Sequence, residues 1–148
     1  MSPLQRQIVI QEARSWIGTP YHHHGRIKGV GVDCAMLLAE VFACAGVIEP
    51  VALEHYPRDW HLHRDDERFI GYLQLFGCVE VDQPAPADVA LFRTGRAYGH
   101  AAIIVEWPRG IHAVNGRGVE LDDLSLNLLD RRGRSCPVRF FRFTGEST

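Results

Sequence analysis

Cys34 stands directly after Asp33 and a stretch with glycines at 25, 29 and 31, and it opens the clearest helical pattern in the chain. Cys34, Leu37, Leu38, Val41, Phe42 and Ala45 recur at steps of three and four, so they share one helix face. Unpaired N–H groups and the positive end of the helix dipole meet at a helix start, and both favour a thiolate over a thiol. A thiolate is the nucleophile of cysteine hydrolases, and the same N–H groups can stabilise a tetrahedral oxyanion. Cys34 can equally be a small buried core residue, as most free cysteines are. Cys44 and Cys78 lie in apolar segments and Cys136 precedes Pro137, which marks all three as structural.

A cysteine nucleophile needs a base, normally histidine, and a third polar group that orients it. His100 follows Tyr98-Gly99 and begins the apolar run Ala101 to Val105, an unusual place for a ring kept only for packing. Gly99 leaves room for another segment to come close. His112 lies inside Gly110-Ile-His-Ala-Val114, where a hydrogen-bonded core or surface histidine is the commoner case. A two-residue turn at Pro108-Arg109 would set Val105 opposite His112 and put the two histidines on opposite faces, whereas a longer loop or a bulge would bring them together. Asn115 is the alternative third member.

The chain has eight histidines. His22, His23, His24, His55, His61 and His63 supply many imidazoles, and zinc takes four N or S ligands. Adjacent histidines cannot all face one ion, and neither Cys-x-x-Cys nor His-Glu-x-x-His occurs. No metal and no cofactor are therefore expected, and a metal-binding protein built on the histidine cluster stands as the rival.

At 148 residues the chain suits one domain, 1–148. Its formal net charge of −2 provides no basic field for nucleic acid, and its 46% hydrophobic and 23% charged residues exclude disorder. Four cysteines are too few for a disulfide scaffold. The N-terminus carries no secretion signal and no run reaches the ~20 apolar residues of a membrane span, so synthesis in the cytoplasm is expected.

Ser2-Pro3 caps a first helix to Trp16, with Ile10, Ala13 and Ile17 in helical register. The Cys34 helix closes at Gly46, and 65–76 makes a third helix. Strands are expected at 78–81, 89–92, 100–106, 110–114, 118–121 and 138–143, with a turn over Trp107-Pro-Arg-Gly110. Helices first and strands after predict an α+β domain, N-terminal helices packed on an antiparallel sheet.

In their order, Gly18-Thr-Pro-Tyr21, Gly31-Val-Asp-Cys34, Pro86-Ala-Asp-Val-Ala-Leu-Phe92, Gly99-His100-Ala-Ala-Ile-Ile-Val105 and Ile111-His112-Ala113 resemble the NlpC family of papain-like cysteine peptidases. The resemblance covers roughly two thirds of the chain and implies a papain-like fold and peptidoglycan stem peptides as substrate, with Cys34 as nucleophile. His100 would be the base and later the acid, and His112 would orient it. Tyr21 would assist substrate or oxyanion binding and Asp33 would hold the substrate's free amine, against the plainer roles of a packed aromatic and a helix cap. The family usually has Ser-Gly after the cysteine, where this chain has Ala35-Met36, so the resemblance leaves the cleaved bond open. His22-His23-His24 also departs from the usual small or aromatic residues. Residues 56–67 resemble an insertion in phage and prophage members, which implies tail-tip proteins as partners and a virion-borne wall hydrolase. A structural tail component with the same fold and no activity is the alternative.

Overall fold

The structure, a computed structural model, describes residues 1–51, 68–129 and 132–144. Helix α1 (Pro3–Ser15) begins with a capping box: Gln5 N–H donates to the Ser2 hydroxyl, and Ser2 N–H donates to the Gln5 side chain. It buries Val9 and Ala13, with Trp16 just beyond its end. The expected face is thus rotated, for Ile17 is 44% exposed while the larger Trp16 lies inside. A short hairpin, β1 (Arg26–Ile27) with β2 (Gly31–Val32), occupies the loop before the cysteine and was not expected from the sequence. Helix α2 (Cys34–Cys44) follows, and Gly46 takes the left-handed conformation after it (φ 74°). Helix α3 spans Arg68–Leu75; the expected residues 65–67, the 56–67 insertion and His55, His61 and His63 lie outside the described residues.

Six strands form one antiparallel sheet: β3 (Cys78–Val81), β4 (Val89–Arg93), β5 (Tyr98–Glu106), β6 (Arg109–Val114), β7 (Gly118–Asp123) and β8 (Val138–Phe143), in the order β3-β8-β4-β5-β6-β7. A single-turn helix α4 (Leu124–Asn127) leaves β7. The α+β class and the placing of helices before the sheet agree with the sequence.

The sheet has two packed faces because its central strands β4 and β5 are apolar on both sides. Val89, Leu91, Ala101, Ile103, Ile111 and Phe141 form a core with Leu37, Val41 and Phe42 of α2. Ala90, Phe92, Ala102 and Ile104 look the other way and are covered by Leu124 and Cys136. Each fully buried Leu, Ile or Phe contributes about 1.5–3 kcal/mol, so α2 cannot slide without losing several such terms. That fixes where its first residue, Cys34, sits. Among the described residues no helix is long and apolar enough to cross a membrane.

Asp88 locks the first helix to the sheet. Its fully buried carboxylate accepts from Ala85 N–H (2.8 Å), from Arg142 Nε (3.0 Å) and Nη2 (2.8 Å), and from Arg6 Nη1 (3.3 Å). Asp88→Ala removes the acceptor that two guanidinium groups share. A loss of about 2–3 kcal/mol is expected by urea denaturation, and a midpoint unchanged from wild type would refute the latch.

Candidate active site

The nucleophile candidate is placed by its own cap. Asp33 is buried, its Oδ1 accepts from Met36 N–H (2.9 Å), and its Oδ2 accepts from His24 N–H (2.8 Å). The cap holds the start of α2 against β5. The Cys34 thiol lies 3.7 Å from the carbonyl oxygen of Gly99, the residue before His100. There β5 and β6 have parted, for their ladder runs from Glu106↔Arg109 only as far as Ile103↔Ile111. Backbone N–H groups of Ala101, Ala35 and Cys34 itself point at the sulfur.

The surroundings of the sulfur work against the thiolate that the helix start favours. Burial of the sulfur and, second, the Asp33 carboxylate push the Cys34 thiol up to about 12; the three N–H groups offset only part of this. The helix start supplies the right dipole, but desolvation and an adjacent anion outweigh it. Both effects favour the thiol over the thiolate at Cys34. Alkylation by iodoacetamide should accelerate as pH rises through 8, 9 and 10, because only approach to the raised value populates the thiolate. A plateau already at pH 7 would contradict this. Labelling must be read peptide by peptide, since Cys44 is solvent-exposed rather than packed in a core as its apolar neighbours implied. Cys78 and Cys136 are buried, as expected.

The two histidines meet. His100 Nε2 lies 2.9 Å from His112 Nδ1, with the rings edge to face at 72°. The turn falls on Trp107-Pro108, one residue before the expected place, and a bulge at Val105 shifts the register so that Ile104 faces Gly110. That extra residue is what returns both histidines to one face. His112 is fully buried, and Asn115 lies exposed in the β6–β7 turn.

Sequence reasoning missed the next member. His112 Nε2 lies 2.7 Å from Asp122 Oδ2. Burial alone would raise the Asp122 carboxyl, but the hydrogen bond from His112, a contact with Glu120 and the positive charge of Arg117 hold it below the usual carboxylate range. The expected strand stopped at Leu121, one residue short of Asp122. Strand alternation was the available signal, since His112 pairs with Glu120 and Asp122 is two positions on, on the same face.

A thiol at a capped helix start, against a strand that carries a histidine pair, is a recognisable order of parts. The NlpC/P60 family profile matches residues 18–134. This chain belongs to the NlpC/P60 family. Solved NlpC/P60 structures share its papain-like fold. The NlpC/p60 domain of the peptidoglycan hydrolase SagA is 17% identical over 90% of this chain and 96% of its own, with a TM-score of 0.58. NlpC1 from Trichomonas vaginalis is 18% identical over 97% of this chain and 45% of its own, with a TM-score of 0.62. RipD from Mycobacterium tuberculosis, a non-catalytic NlpC/p60 domain protein adapted to peptidoglycan binding, is 15% identical over 93% and 96%, with a TM-score of 0.57. No curated protein sequence matches the chain.

Within this NlpC/P60 fold the His22–His24 loop folds back on the nucleophile's cap. The His23 and His24 rings stack at 3.9 Å, and His23 Nδ1 lies 3.8 Å from Asp33 Oδ2. Gly31 makes this possible, for a Cβ there would stand 2.7 Å from the Cβ of His22. Tyr21 is partly buried beside the core edge that includes Cys34, and its backbone bridges Val32. Among the described residues, the histidine loop does not gather ligands around one point. The group that does is His112, Glu120 and Asp122, with ligand atoms within 4.8 Å of one another. Arg117 already stands 3.7 Å from Glu120 and 3.9 Å from Asp122, so a cation there would meet a positive charge.

Proposed function

We propose that the chain is a thiol hydrolase that cleaves an amide bond in peptidoglycan stem peptides. The observation that carries this is the meeting of Cys34, at the start of a capped helix, with the strand that bears the His100–His112 pair. In the proposed cycle the Cys34 proton passes to Nδ1 of His100, whose Nε2 is committed to His112, and the sulfur bonds to the scissile carbonyl carbon. Backbone N–H groups at the start of α2 hold the oxyanion. Collapse breaks the C–N bond, and His100 returns the proton to the departing amine. Water, deprotonated by the same ring, then releases the acyl group.

A thiol favoured over its thiolate fits this cycle, since attack and proton transfer proceed together. Tyr21 and Asp33 flank the nucleophile and are read as the substrate side, with the Asp33 charge available to draw a free amine. Ala35 removes the hydroxyl that the family resemblance places there, so the amine end of the stem is held by fewer hydrogen bonds. Action at the wall as part of a phage tail rests on the resemblance of residues 56–67, outside the described residues.

The test is digestion of purified peptidoglycan, with mass analysis of the soluble fragments, by untreated protein and by protein blocked with iodoacetamide at high pH. Fragments ending at a hydrolysed stem-peptide amide, absent after blocking, are expected. Sedimentation of the protein with peptidoglycan and no release would replace hydrolysis by binding alone.

A further inference from the structure

The sheet carries a polar chain longer than a nucleophile, base and orienting group require. It runs from His100 Nε2 to His112 Nδ1 at 2.9 Å and from His112 Nε2 to Asp122 Oδ2 at 2.7 Å. The middle ring is sealed from solvent and the terminal carboxylate is not, its side chain being 18% exposed. We propose that Asp122 is a positioning residue that sets the direction of every proton in this chain and so leaves Nδ1 of His100 as the base. This rests on the hydrolase assigned above.

Donors and acceptors fix where each proton sits. An ionised carboxylate only accepts, so Nε2 of His112 must carry its proton toward Asp122. Neutral His112 then has a lone pair on Nδ1, and His100 must donate to it from Nε2. A neutral His100 with its proton on Nε2 has its lone pair on Nδ1, the nitrogen that takes the thiol proton in the proposed cycle. Reverse the first bond and the order inverts: His112 would donate from Nδ1, and His100 would hold its proton on Nδ1 with no place for another. Asp122 is kept anionic by its surroundings, with Arg117 Nη2 3.9 Å from Oδ2. Glu120, which faces His112 across the strands, is itself engaged by Arg117 at 3.7 Å. The imidazolium that forms on His100 during attack is also stabilised through His112 by the carboxylate.

The experiment measures the state of His112 and the rate in parallel. Nitrogen-15 spectra of the histidine rings should show wild-type His112 protonated on Nε2 and His100 protonated on Nε2. In Asp122→Ala and the isosteric Asp122→Asn, His112 should lose that single state. kcat on a soluble stem peptide should fall roughly 10- to 100-fold with KM little changed, the range lost when the partner behind a working histidine is removed. Asp122→Glu should restore part of both. Ring spectra unchanged in Asp122→Ala and Asp122→Asn overturn the proposal, as does a wild-type kcat in both. The spectra need no substrate, so a wild-type chain inactive on peptidoglycan sinks the hydrolase while the state of His112 still decides the role of Asp122.

Discussion

Cys34→Ala is expected to release no stem-peptide fragments from peptidoglycan while folding as stably as the wild type. The two halves of this result have separate causes. The substitution removes the only protein atom that the proposed cycle bonds to the carbonyl, and loss of a nucleophile costs on the order of 10⁵-fold or more in kcat. The thiol contributes little to folding. Burial disfavours its charged form, so removing it strands no buried charge, and the hydrogen bond it donates is the long 3.7 Å approach to Gly99 O. The cap that holds the helix start belongs to Asp33 and is untouched. A change of less than about 1 kcal/mol in unfolding free energy is therefore expected, the scale of losing one small group at a partly open site. Fragment release equal to wild type would end the thiol mechanism. Loss of activity with a collapsed denaturation midpoint would instead make Cys34 a packing residue.

The second large effect is expected at His100. His100→Ala should lower kcat by about 10⁶-fold, the cost of removing the base from a triad. KM should move little, because the ring acts on the proton and not on the stem peptide. The removal also strips His112 Nδ1 of its partner inside the sheet. An unpaired buried nitrogen costs roughly 1–3 kcal/mol, so this variant, unlike Cys34→Ala, should be measurably less stable. His100→Gln isolates the chemistry, since its amide can still donate toward His112 but cannot take up the thiol proton. If His100→Gln kept more than a tenth of wild-type kcat, the base would have to be another group.

The start of α2 was legible in the sequence because each contribution is local. Asp33 caps, the glycines admit a tight loop, and the apolar steps of three and four set the buried face. His100 was legible for a similar reason, as a polar ring at the mouth of an apolar strand. The partnership of His100 with His112 was not, because it depends on one bulged residue, Val105, and nothing in the run Ile103 to Trp107 fixes a bulge rather than a regular turn. Asp122 was lost at a strand end, where the acidic pair Asp122-Asp123 reads as a loop although both belong to β7. The upward push on the Cys34 thiol was not legible for a physical reason. Helix position is encoded in the chain, but how far packing desolvates the sulfur appears only once α2 has docked.

The loop after α1 is stitched to the far end of the sheet. Gly18 N–H donates to Val119 O (3.0 Å), Val119 N–H donates to Thr19 O (2.9 Å), and only glycine fits at 118 because a Cβ would stand 2.6 Å from that same Thr19 oxygen. These partners are separated by about 100 residues, so the loop before the nucleophile is anchored only through a long-range closure of the chain. The strand that supplies the anchor, β7, is also the one that carries Asp122. A change that loosens β7 is therefore felt at both ends of the site, in the loop before the cysteine and in the last acid of the proton chain.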